Sequence, residues 1–392
     1  MENAIKFLRI QNFKSIKDVT LHPRRVNLII GEPNVGKSNL LEAMTLLGGI
    51  TYEQTEKFMG SFIRYEEPRQ LFYDNLVGNT IKVETDKEVS ILFFDKKAKY
   101  FKYLFCDLDF YKELAGESHP YIANQSIGAV EKEVMHNLPG KEMKLEDLAD
   151  SNLSEFVYTE FDNQSKFNVE GKPGYREMWI IAPFYFTPKA YTFQKGGLIN
   201  DDTANSSLSP PYGNNLIEII RTHPQLYQDV ERMFSHYSQE LQLRGDINQL
   251  DIVKKVKGLT YSFPYSSVAD TLQRIIFYLA AIESNDGAVL LFEEPEAHAF
   301  PVYVSKLGRR IVESTNNQFF IDTHSPYLVD GILEDMLTDE AQASDLAVFA
   351  AYYEDHQTKV HQLSDEEIRS IRNDSIDVFY NMKRFTTGRI DA

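Results

Sequence analysis

One short stretch, "VNLIIGEPNVGKSNLLEAM", constrains this chain more than any other. An apolar run from Val26 reaches Gly31, four residues follow, and then come Gly36, Lys37 and Ser38. This spacing is typical of a loop between a strand and a helix that surrounds phosphate groups with backbone N–H groups. The stretch therefore predicts a strand over residues 26–31, a helix that begins near Lys37 and ends near residues 48–49, and a nucleoside triphosphate between them.

Each residue type in the loop has a physical reason. Gly31 and Gly36 permit backbone conformations and close approaches that a Cβ would block. Lys37 would reach the β- and γ-phosphates, Ser38 would offer its hydroxyl to Mg²⁺, and the helix N-terminus would face the anion. ATP and Mg²⁺ are the expected cofactors. The predicted nucleotide-binding residues of this loop are Gly31, Asn34, Val35, Gly36, Lys37, Ser38 and Asn39.

A second apolar run, "AVLLF" at residues 288–292, leads directly into Glu293 and Glu294. A central strand of an open α/β sheet delivers such carboxylates to its C-terminal edge, where ligands bind. We assign Glu293 to Mg²⁺, beside Ser38, and Glu294 to the attacking water. The alternative is an acidic helix start, because acids and a residue such as Pro295 both favour a first helical turn.

A third strand pattern, "FFIDTHSPY", ends in polar residues that include His324. A neutral histidine beside a γ-phosphate can hydrogen-bond both the phosphate and the attacking water. A lone histidine at a strand end is more often structural, but the two preceding motifs favour a catalytic role. Glu294 and His324 are therefore the predicted catalytic residues.

Together these stretches resemble ABC-type ATPases of the RecF, SMC and OLD group, in particular its short stand-alone AAA-type members. "FLRIQNFKSIKDVTL" resembles the opening strands of that family, "GEPNVGKSNLLEAM" its Walker A motif, "LLFEEPEAHAFP" its Walker B motif and "FIDTHSPYLV" its switch histidine. The resemblance covers residues 4–48 and 210–330 well and the middle third weakly. It implies ATP hydrolysis and ATP-dependent dimerisation.

The chain departs from that family at two places. Glu293 stands where the family usually has aspartate. We expect this change to be tolerated, because the longer carboxylate can still reach Mg²⁺. In the family, a serine and a glycine of the signature segment contact the nucleotide of the partner subunit. The segment here, "YSSVADTLQRIIFYL", has no glycine, but Ser266, Ser267 and the helix beginning near Asp270 could still present hydroxyl and N–H groups to that nucleotide. Asp270 would repel phosphate there unless it caps its helix. By the same resemblance, Gln194 is the candidate Q-loop residue.

Composition limits the possible partners. The net charge of −17 disfavours attraction of the whole surface to nucleic acid and suits a protein partner. Basic clusters at residues 22–25, 96–97 and 254–257 predict at most weak, non-specific DNA contact. Cys106 is the one cysteine, which suits a reducing cytoplasm, and no apolar run reaches the length of about 18 residues that a membrane span requires.

The expected fold class is α/β, an ABC-ATPase head with a mixed central sheet, an antiparallel β subdomain and a helical signature lobe. The opening segment predicts two strands joined near "HPRR", and residues 80–108 predict antiparallel strands with turns at Asp86 and Asp95–Lys97. "MWIIAPFYF" predicts a strand, residues 216–241 helices, residues 249–267 a hairpin and residues 269–284 a helix. Within one head over 1–392 we place lobe I at 1–205, with an insertion at about 110–178, the signature lobe at 206–285, and the Walker B and switch part at 286–392.

Two functions remain open. The first is an ATP-hydrolysing switch, in DNA maintenance or anti-phage defence, that acts with a separate nuclease or toxin as a homodimer or higher homo-oligomer. The second is a nucleotide-sensing scaffold with little turnover that holds an effector inactive, which the missing signature glycine favours. A small-molecule kinase fits poorly, because there is no lid-like arginine cluster.

Overall fold

The structure is a computed structural model of the chain, and it describes residues 2–97, 99–115, 156–166, 179–181, 187–195, 206–244 and 249–386. The strands in these ranges are β1 Leu8–Phe13, β2 Ile16–Leu21, β3 Val26–Gly31, β4 Ile81–Thr85, β5 Glu88–Asp95, β6 Tyr100–Asp107, β7 Phe156–Phe161, β8 Trp179–Ile181, β9 Lys189–Tyr191, β10 Glu240–Arg244, β11 Gln249–Val256, β12 Leu259–Pro264, β13 Val289–Glu293, β14 Gln318–Asp322, β15 Leu346–Glu354 and β16 Gln357–Gln362. The helices are α1 Lys37–Thr45, α2 Leu108–Ala115, α3 Leu216–Thr222, α4 Pro224–Ser235, α5 Asp270–Ser284, α6 Pro301–Glu313, α7 Pro326–Met336, α8 Glu340–Ala343, α9 Asp365–Asn373 and α10 Met382–Thr386.

The central sheet brings the sequence motifs to one edge. Its six strands lie in the order β16–β15–β3–β14–β13–β9, and all run parallel except β16, which is antiparallel to β15. Strand β14 therefore separates β3 from β13. The register places Asp322 of β14 beside Ile29 of β3 on one side and beside Glu293 of β13 on the other. Ligands bind at this carboxyl edge in α/β proteins.

Strand β3 is buried along its whole length because each of its faces packs on a separate core. Val26, Leu28 and Ile30 belong to a core that includes α5, α6 and α7. Ile29 belongs to a second core, which contains α1 and the antiparallel strands. A parallel strand that is covered on both faces is mainly apolar, and the one polar side chain of β3, that of Asn27, donates to the carbonyls of Arg24 and Phe319. The predicted strand and the predicted helix that follows it are both present.

Seven strands form an antiparallel sheet in the order β2–β1–β4–β5–β6–β7–β8. The strands predicted over residues 80–108 are confirmed by β4, β5 and β6. The prediction that "HPRR" connects two opening strands is confirmed, because it joins β2 to β3, but a further turn at residues 14–15 divides the first predicted strand into β1 and β2. Asn12 and Lys14 take positive φ values of 57° and 47° in this turn. Asn12 Nδ2 donates to Thr80 O at 2.9 Å, so tertiary contact supports a turn that has no glycine.

Residues 206–284 combine three helices with a small sheet. Helices α3, α4 and α5 pack in the first core, and β10, β11 and β12 form an antiparallel sheet. The hairpin predicted over residues 249–267 is confirmed by β11 and β12. The helical prediction for residues 216–241 is wrong at its end, because Glu240 begins β10 and pairs with Val253. Every residue of the edge strand β12 is exposed.

Three further predictions can be placed on the structure. Of the strand predicted over "MWIIAPFYF", β8 contains Trp179–Ile181, and residues 182–186 lie outside the described residues. Gln194 therefore follows β9 rather than that strand. The insertion expected at about 110–178 also lies largely outside the described residues, and the lobe boundaries stay predictions. The central sheet takes β3 and β9 from the first part and β13 to β16 from the last.

The basic cluster "HPRR" has a structural role. The guanidinium of Arg25 donates to the carbonyls of Ile311, Val312 and Ser314 at 2.9–3.3 Å and pairs with Asp345 at 3.1 Å. These carbonyls lie at the C-terminal end of α6, where a cation is favoured by the helix dipole. In the part of the chain that the structure describes, none of the helices has the length and apolarity needed to cross a bilayer.

Candidate active site

The loop between β3 and α1 is held in shape by residues from both ends of the chain. Gly36 has a φ of 95°, and a Cβ there would lie 2.1 Å from Thr358 Oγ1 and 2.6 Å from Ser15 Oγ, so the position requires glycine. Thr358 Oγ1 also donates to Val35 O at 2.8 Å, and Asn39 Nδ2 donates to Ser15 Oγ at 2.7 Å. The loop therefore has its shape fixed by side chains outside it.

The beginning of the loop is restricted in the same way. A Cβ on Gly31 would lie 2.5 Å from the carbonyl oxygen of Ala351 in β15. Asn34 has a φ of 63°, a conformation that asparagine adopts more readily than most residues. Both observations agree with a loop whose backbone N–H groups are directed at a ligand.

The ammonium group of Lys37 lies at the centre of the predicted site. Its Nζ is 2.8 Å from His324 Nε2, 3.1 Å from Glu32 O and 3.9 Å from Asp322 Oδ1. Because an ammonium group only donates, His324 Nε2 accepts and the imidazole is neutral in this contact. Burial, and then the positive charge of Lys37, lower the pKa of His324. Burial also lowers the pKa of Lys37, outweighing the nearby carboxylates.

Ser38, which was predicted to bind the metal, contacts Asp322. Its Oγ donates to Asp322 Oδ2 at 3.2 Å. The Asp322 side chain is 1% exposed, and among the described residues its Oδ1 has no hydrogen-bond partner. Burial raises the pKa of Asp322 to about 7, although Lys37 and Ser38 oppose the increase. Asp322 was not predicted as a site residue, although a carboxylate directly after an apolar strand was a signal for it.

Glu293 reaches the same edge but is paired with a cation. Its Oε1 accepts from Arg64 Nη2 at 2.6 Å, and Arg64 Nε donates to Glu42 Oε1 at 2.9 Å. Glu42 is buried in α1 and is also paired with Lys14 of the β1–β2 turn. Arg64 was not predicted, because it lies in an irregular stretch without a motif. The cluster connects the predicted metal ligand to α1 and to the antiparallel sheet.

Glu294 turns away from the sheet with a strained backbone. Its φ is 41°, and its N–H donates to Asp322 O at 2.9 Å. Its Oε1 lies 3.5 Å from His324 Nε2, and its side chain is 46% exposed. The alternative of a helix start at this position is wrong, since the helix begins at Pro301. Non-glycine residues with positive φ cluster at functional sites, and this carboxylate faces both the imidazole and solvent.

Glu296 holds the segment that carries His324. Its Oε1 accepts from Thr323 Oγ1 at 2.6 Å and from the backbone N–H of His324 at 3.0 Å. Burial raises the pKa of Glu296 although these donors oppose the increase. A cavity of about 330 Å³ beside this segment is lined by Glu294, Glu296, His324 and Tyr327, among others. Sequence reasoning missed Glu296 as a residue that positions the histidine.

Two protein-family models match this chain. The model described as "AAA ATPase domain" matches residues 4–207, which are 204 of the 392 residues. The model described as "AAA domain, putative AbiEii toxin, Type IV TA system" matches residues 182–330. The chain belongs to the AAA ATPase domain family. It is an ATPase, and both the expected family and the expected enzyme class are confirmed.

Several relatives of this AAA ATPase extend over nearly the whole chain. An "ATP/GTP phosphatase" of Helicobacter pylori is 21% identical over 381 residues, and the match covers 93% of each chain. An SmcHead bound to the C-winged helix domain of ScpA is 14% identical with a TM-score of 0.46, covering 94% of this chain and 99% of that one. The SMC head domain from Thermotoga maritima is 11% identical with a TM-score of 0.37, covering 92% and 99%.

The predicted signature segment of the AAA ATPase is exposed. Ser266 and Ser267 lie in a short 3₁₀ turn before α5, and both are exposed. Their hydrogen bonds found among the described residues are local, such as the 2.7 Å bond from Ser267 Oγ to Pro264 O. The helix begins at Asp270, as predicted, but Ala269 is its N-cap and the Asp270 side chain does not cap it.

Helix α5 also contacts the turn at residues 294–298, which follows β13 in its own chain and carries the predicted catalytic Glu294. Thr271 Oγ1 donates to His298 O at 2.7 Å, and Arg274 Nη1 donates to Glu294 O at 3.4 Å. The Arg274 guanidinium lies 4.9 Å from the centre of the Phe193 ring. Helix α5 thus contacts both the turn at residues 294–298 and the segment after β9.

Gln194, the candidate Q-loop residue, lies just beyond the end of β9 and is exposed. Strand β9 pairs in parallel with β13, with Tyr191 opposite Phe292. Gln194 is therefore at the same sheet edge as Glu293. Its role stays a prediction.

The residues present suit Mg²⁺. Ser38, Glu293 and Asp322 offer hydroxyl and carboxylate oxygens, which are the ligands of a hard cation. In the described ranges, no group of three or more His, Cys, Asp or Glu converges as a complete metal cage. A nucleotide-bound Mg²⁺ needs only one or two carboxylates, because phosphates and water supply the rest. Asp322 Oδ1, for which the described residues supply no hydrogen-bond donor, is an oxygen that such a cation could satisfy.

Proposed function

We propose that this AAA ATPase is a Mg²⁺-dependent switch in which ATP joins two copies and hydrolysis separates them. The observation that carries the proposal is a series of contacts at the carboxyl edge of the central sheet. Lys37 Nζ lies 2.8 Å from His324 Nε2, which lies 3.5 Å from Glu294 Oε1. A phosphate-binding cation, an imidazole and a carboxylate are thus within reach of one γ-phosphate and one water.

In this proposal the loop and Lys37 bind the triphosphate. The acceptors that Lys37 now contacts, an imidazole and a backbone carbonyl, are neutral, so they bind the ammonium group less strongly than the charged oxygens of a phosphate would. A triphosphate can therefore take Lys37 from these partners and leave His324 Nε2 free. Mg²⁺, when bound beside Ser38, would polarise the phosphoryl oxygens and offset their charge.

Glu294 would accept a proton from the attacking water, because its carboxylate is exposed on one side and faces His324 on the other. His324 is neutral, since burial and Lys37 lower its pKa, and it can hydrogen-bond both the phosphate and the water. Glu296 would keep the imidazole in position through Thr323 and the His324 backbone.

Dimerisation would bring the signature segment of one copy to the nucleotide of the other. Ser266 and Ser267 are exposed, and their recorded hydrogen bonds are local, so the turn is available for such a contact. The N-terminus of α5 would offer backbone N–H groups to the γ-phosphate. Asp270 at the first helical position would weaken this contact through repulsion, which makes the interface dependent on Ser266 and Ser267.

We further propose that the switch controls a separate effector, a nuclease or a toxin, in anti-phage defence or DNA maintenance. One support is the family description that names the AbiEii toxin and a type IV toxin–antitoxin system. The other is the net charge of −17, which favours a protein partner over DNA. A cytoplasmic setting suits this role and the single, buried Cys106.

The second candidate is a nucleotide-sensing scaffold that turns over little ATP and holds its effector inactive. One observation favours it: the signature segment has no glycine and has Asp270 at the start of its helix. The strained, exposed Glu294 and the neutral His324 favour turnover instead.

Steady-state phosphate release from ATP, with Mg²⁺ and with EDTA, tests the proposal together with binding of a labelled ATP analogue. Lys37→Ala should weaken binding by roughly ten- to hundredfold, because hydrogen bonds to charged groups contribute about 1.5–3 kcal/mol. Lys17→Ala, on the exposed side of β2, is the control and should change nothing. Undiminished analogue binding by folded Lys37→Ala would refute the phosphate site. Tight Mg²⁺-dependent binding without phosphate release by the parent would favour the scaffold.

A further inference from the structure

The carboxylate that contacts the metal-binding hydroxyl of the phosphate loop comes from the switch strand and not from the Walker B strand. Ser38 Oγ donates to Asp322 Oδ2 at 3.2 Å. Asp322 is the last residue of β14, which lies between β3 and β13. It is therefore one strand nearer to the phosphate loop than Glu293.

Glu293 is already engaged with another group. Its Oε1 accepts from Arg64 at 2.6 Å, and Arg64 is held in turn by the buried Glu42. The Glu293 side chain is 28% exposed, whereas that of Asp322 is 1% exposed. Among the described residues, Asp322 Oδ1 is a buried oxygen without a hydrogen-bond partner. A buried carboxylate oxygen that lacks a partner is costly unless a cation or water satisfies it.

We propose that Asp322 is the carboxylate that, with the Ser38 hydroxyl, binds the Mg²⁺ of the nucleotide, and that Glu293 supports the site from outside through Arg64. This inference rests on the proposed function, because it names a residue of the same Mg²⁺-dependent site. It also explains why a glutamate is tolerated at position 293. On this proposal, direct binding of the metal, which depends on the length of the carboxylate side chain, is the role of Asp322 on the neighbouring strand β14.

A competing role for Asp322 is that of a counter-ion only. Its Oδ1 lies 3.9 Å from Lys37 Nζ, at the outer limit of an ion pair. A counter-ion would change the affinity for nucleotide equally with and without a divalent cation. A metal ligand would change the dependence on the cation. The two roles therefore separate in a cation titration.

The test uses Mn²⁺ as a spectroscopic probe. Binding of Mn²⁺ to the full-length protein saturated with a non-hydrolysable ATP analogue is followed by electron paramagnetic resonance. Asp322→Asn should raise the dissociation constant for Mn²⁺ at least tenfold, and Glu293→Gln should raise it less than about threefold, because a charge-assisted metal contact is lost only in the first. Asp330→Asn, an exposed carboxylate on α7, is the matched control and should not change it.

An unchanged Mn²⁺ affinity in Asp322→Asn, or a larger loss in Glu293→Gln, would overturn the proposal. So would a loss of analogue affinity that is equal in Mg²⁺ and in EDTA, since that is the counter-ion result. Asp322→Ser removes the buried carboxylate and its desolvation cost, and it serves if the asparagine variant does not fold. If the parent itself shows no cation-dependent analogue binding, the proposed function fails as well; if it does and Asp322→Asn matches it, only this inference fails.

Discussion

The guanidinium group of Arg274 donates to the main-chain carbonyl of Glu294 at 3.4 Å. Arg274 lies one turn into α5, the helix that follows the exposed signature segment, and Glu294 is the proposed general base. Movement of the N-terminal part of α5 would therefore displace the catalytic turn. This contact offers a physical route by which an event at the dimer surface could alter turnover.

Arg274→Ala should lower kcat at saturating ATP by roughly tenfold, which corresponds to about 1.4 kcal/mol of transition-state stabilisation, and leave ATP affinity unchanged. The reason is that Arg274 contacts the catalytic turn and the Phe193 ring but not the phosphate loop. Phosphate-release kinetics and analogue binding measure the two quantities separately.

Arg274→Lys is the informative control. It keeps the charge but loses the planar group that lies over an aromatic ring, so we expect an intermediate kcat. A kcat equal to that of the parent in Arg274→Ala would show that this contact has no part in catalysis.

Glu294→Gln should keep ATP binding, reduce turnover by at least about a hundredfold and increase the dimer that forms with ATP. The amide still hydrogen-bonds water but cannot accept its proton, and general bases contribute on the order of 10²- to 10⁴-fold. Light scattering in the presence of ATP and Mg²⁺ measures the molar mass of the variant and therefore the amount of dimer.

Glu366→Gln, which changes an exposed glutamate in the first turn of α9, is the control for this variant. Turnover of Glu294→Gln at the parent rate would remove Glu294 from its assigned role. A mass that never changes with nucleotide would argue against the dimer, with the glycine-less signature segment as the physical reason.

Glu296→Gln should stabilise the protein increasingly as the pH rises. Because burial raises the pKa of Glu296 above its ordinary 4.5, the folded state favours the protonated carboxyl. The stability from that protonation is fully present below about pH 4.5 and is lost as the pH rises through the raised value. Glutamine stays neutral and avoids the loss, which amounts to about 1.4 kcal/mol for each unit of pKa shift.

Urea unfolding at several values between about pH 5 and pH 8 measures this difference. The gap between Glu296→Gln and the parent should widen with pH and nearly vanish at the acidic end. A gap that is constant over the whole range would mean that Glu296 is ionised in the fold at neutral pH without penalty.

Any binding to DNA should be weak, independent of sequence and only moderately sensitive to salt. Arg25 is bound to the end of α6 and Lys255 pairs with Glu240 at 2.7 Å, so the exposed cations of the three basic clusters are mainly Lys96, Lys97, Lys254 and Lys257. Titration of fluorescent duplex with ATP should give a slope of log affinity against log salt of about −2 to −4, since each phosphate contact adds about −0.9. Tight binding at physiological salt with a steep slope would favour a DNA-repair role instead.

The phosphate loop could be predicted because its constraints are local: the apolar run, the glycines and the helix that begins at Lys37 are consecutive in sequence. The proposed role of Asp322 could not, because its position after an apolar strand indicates only the sheet edge, whereas the role depends on β14 lying between β3 and β13. Arg64 was missed for the same reason, as its partners Glu293 and Glu42 are distant in sequence.

The opening strands contain a turn that the local sequence did not predict. "HPRR" contains proline and was predicted as a connection, whereas the turn between β1 and β2 contains Asn12 and Lys14 in positive-φ conformations that neither glycine nor proline signals. The conformation there depends on tertiary contacts, such as the bond from Asn12 to Thr80. Turn-forming residue types alone therefore did not predict the turn that separates β1 from β2.

Strand β3 has its two neighbours, β14 and β15, near the other end of the chain, and Thr358 bonds to Val35 across 323 residues. During synthesis the N-terminal part emerges first and must wait for the last quarter of the chain before this strand is paired. Contacts of such long range slow folding, and the four aliphatic side chains of β3 stay exposed to aggregation in the meantime. A chain that stops before β15 should therefore be unable to form the phosphate loop at all, even though it contains every residue of the motif.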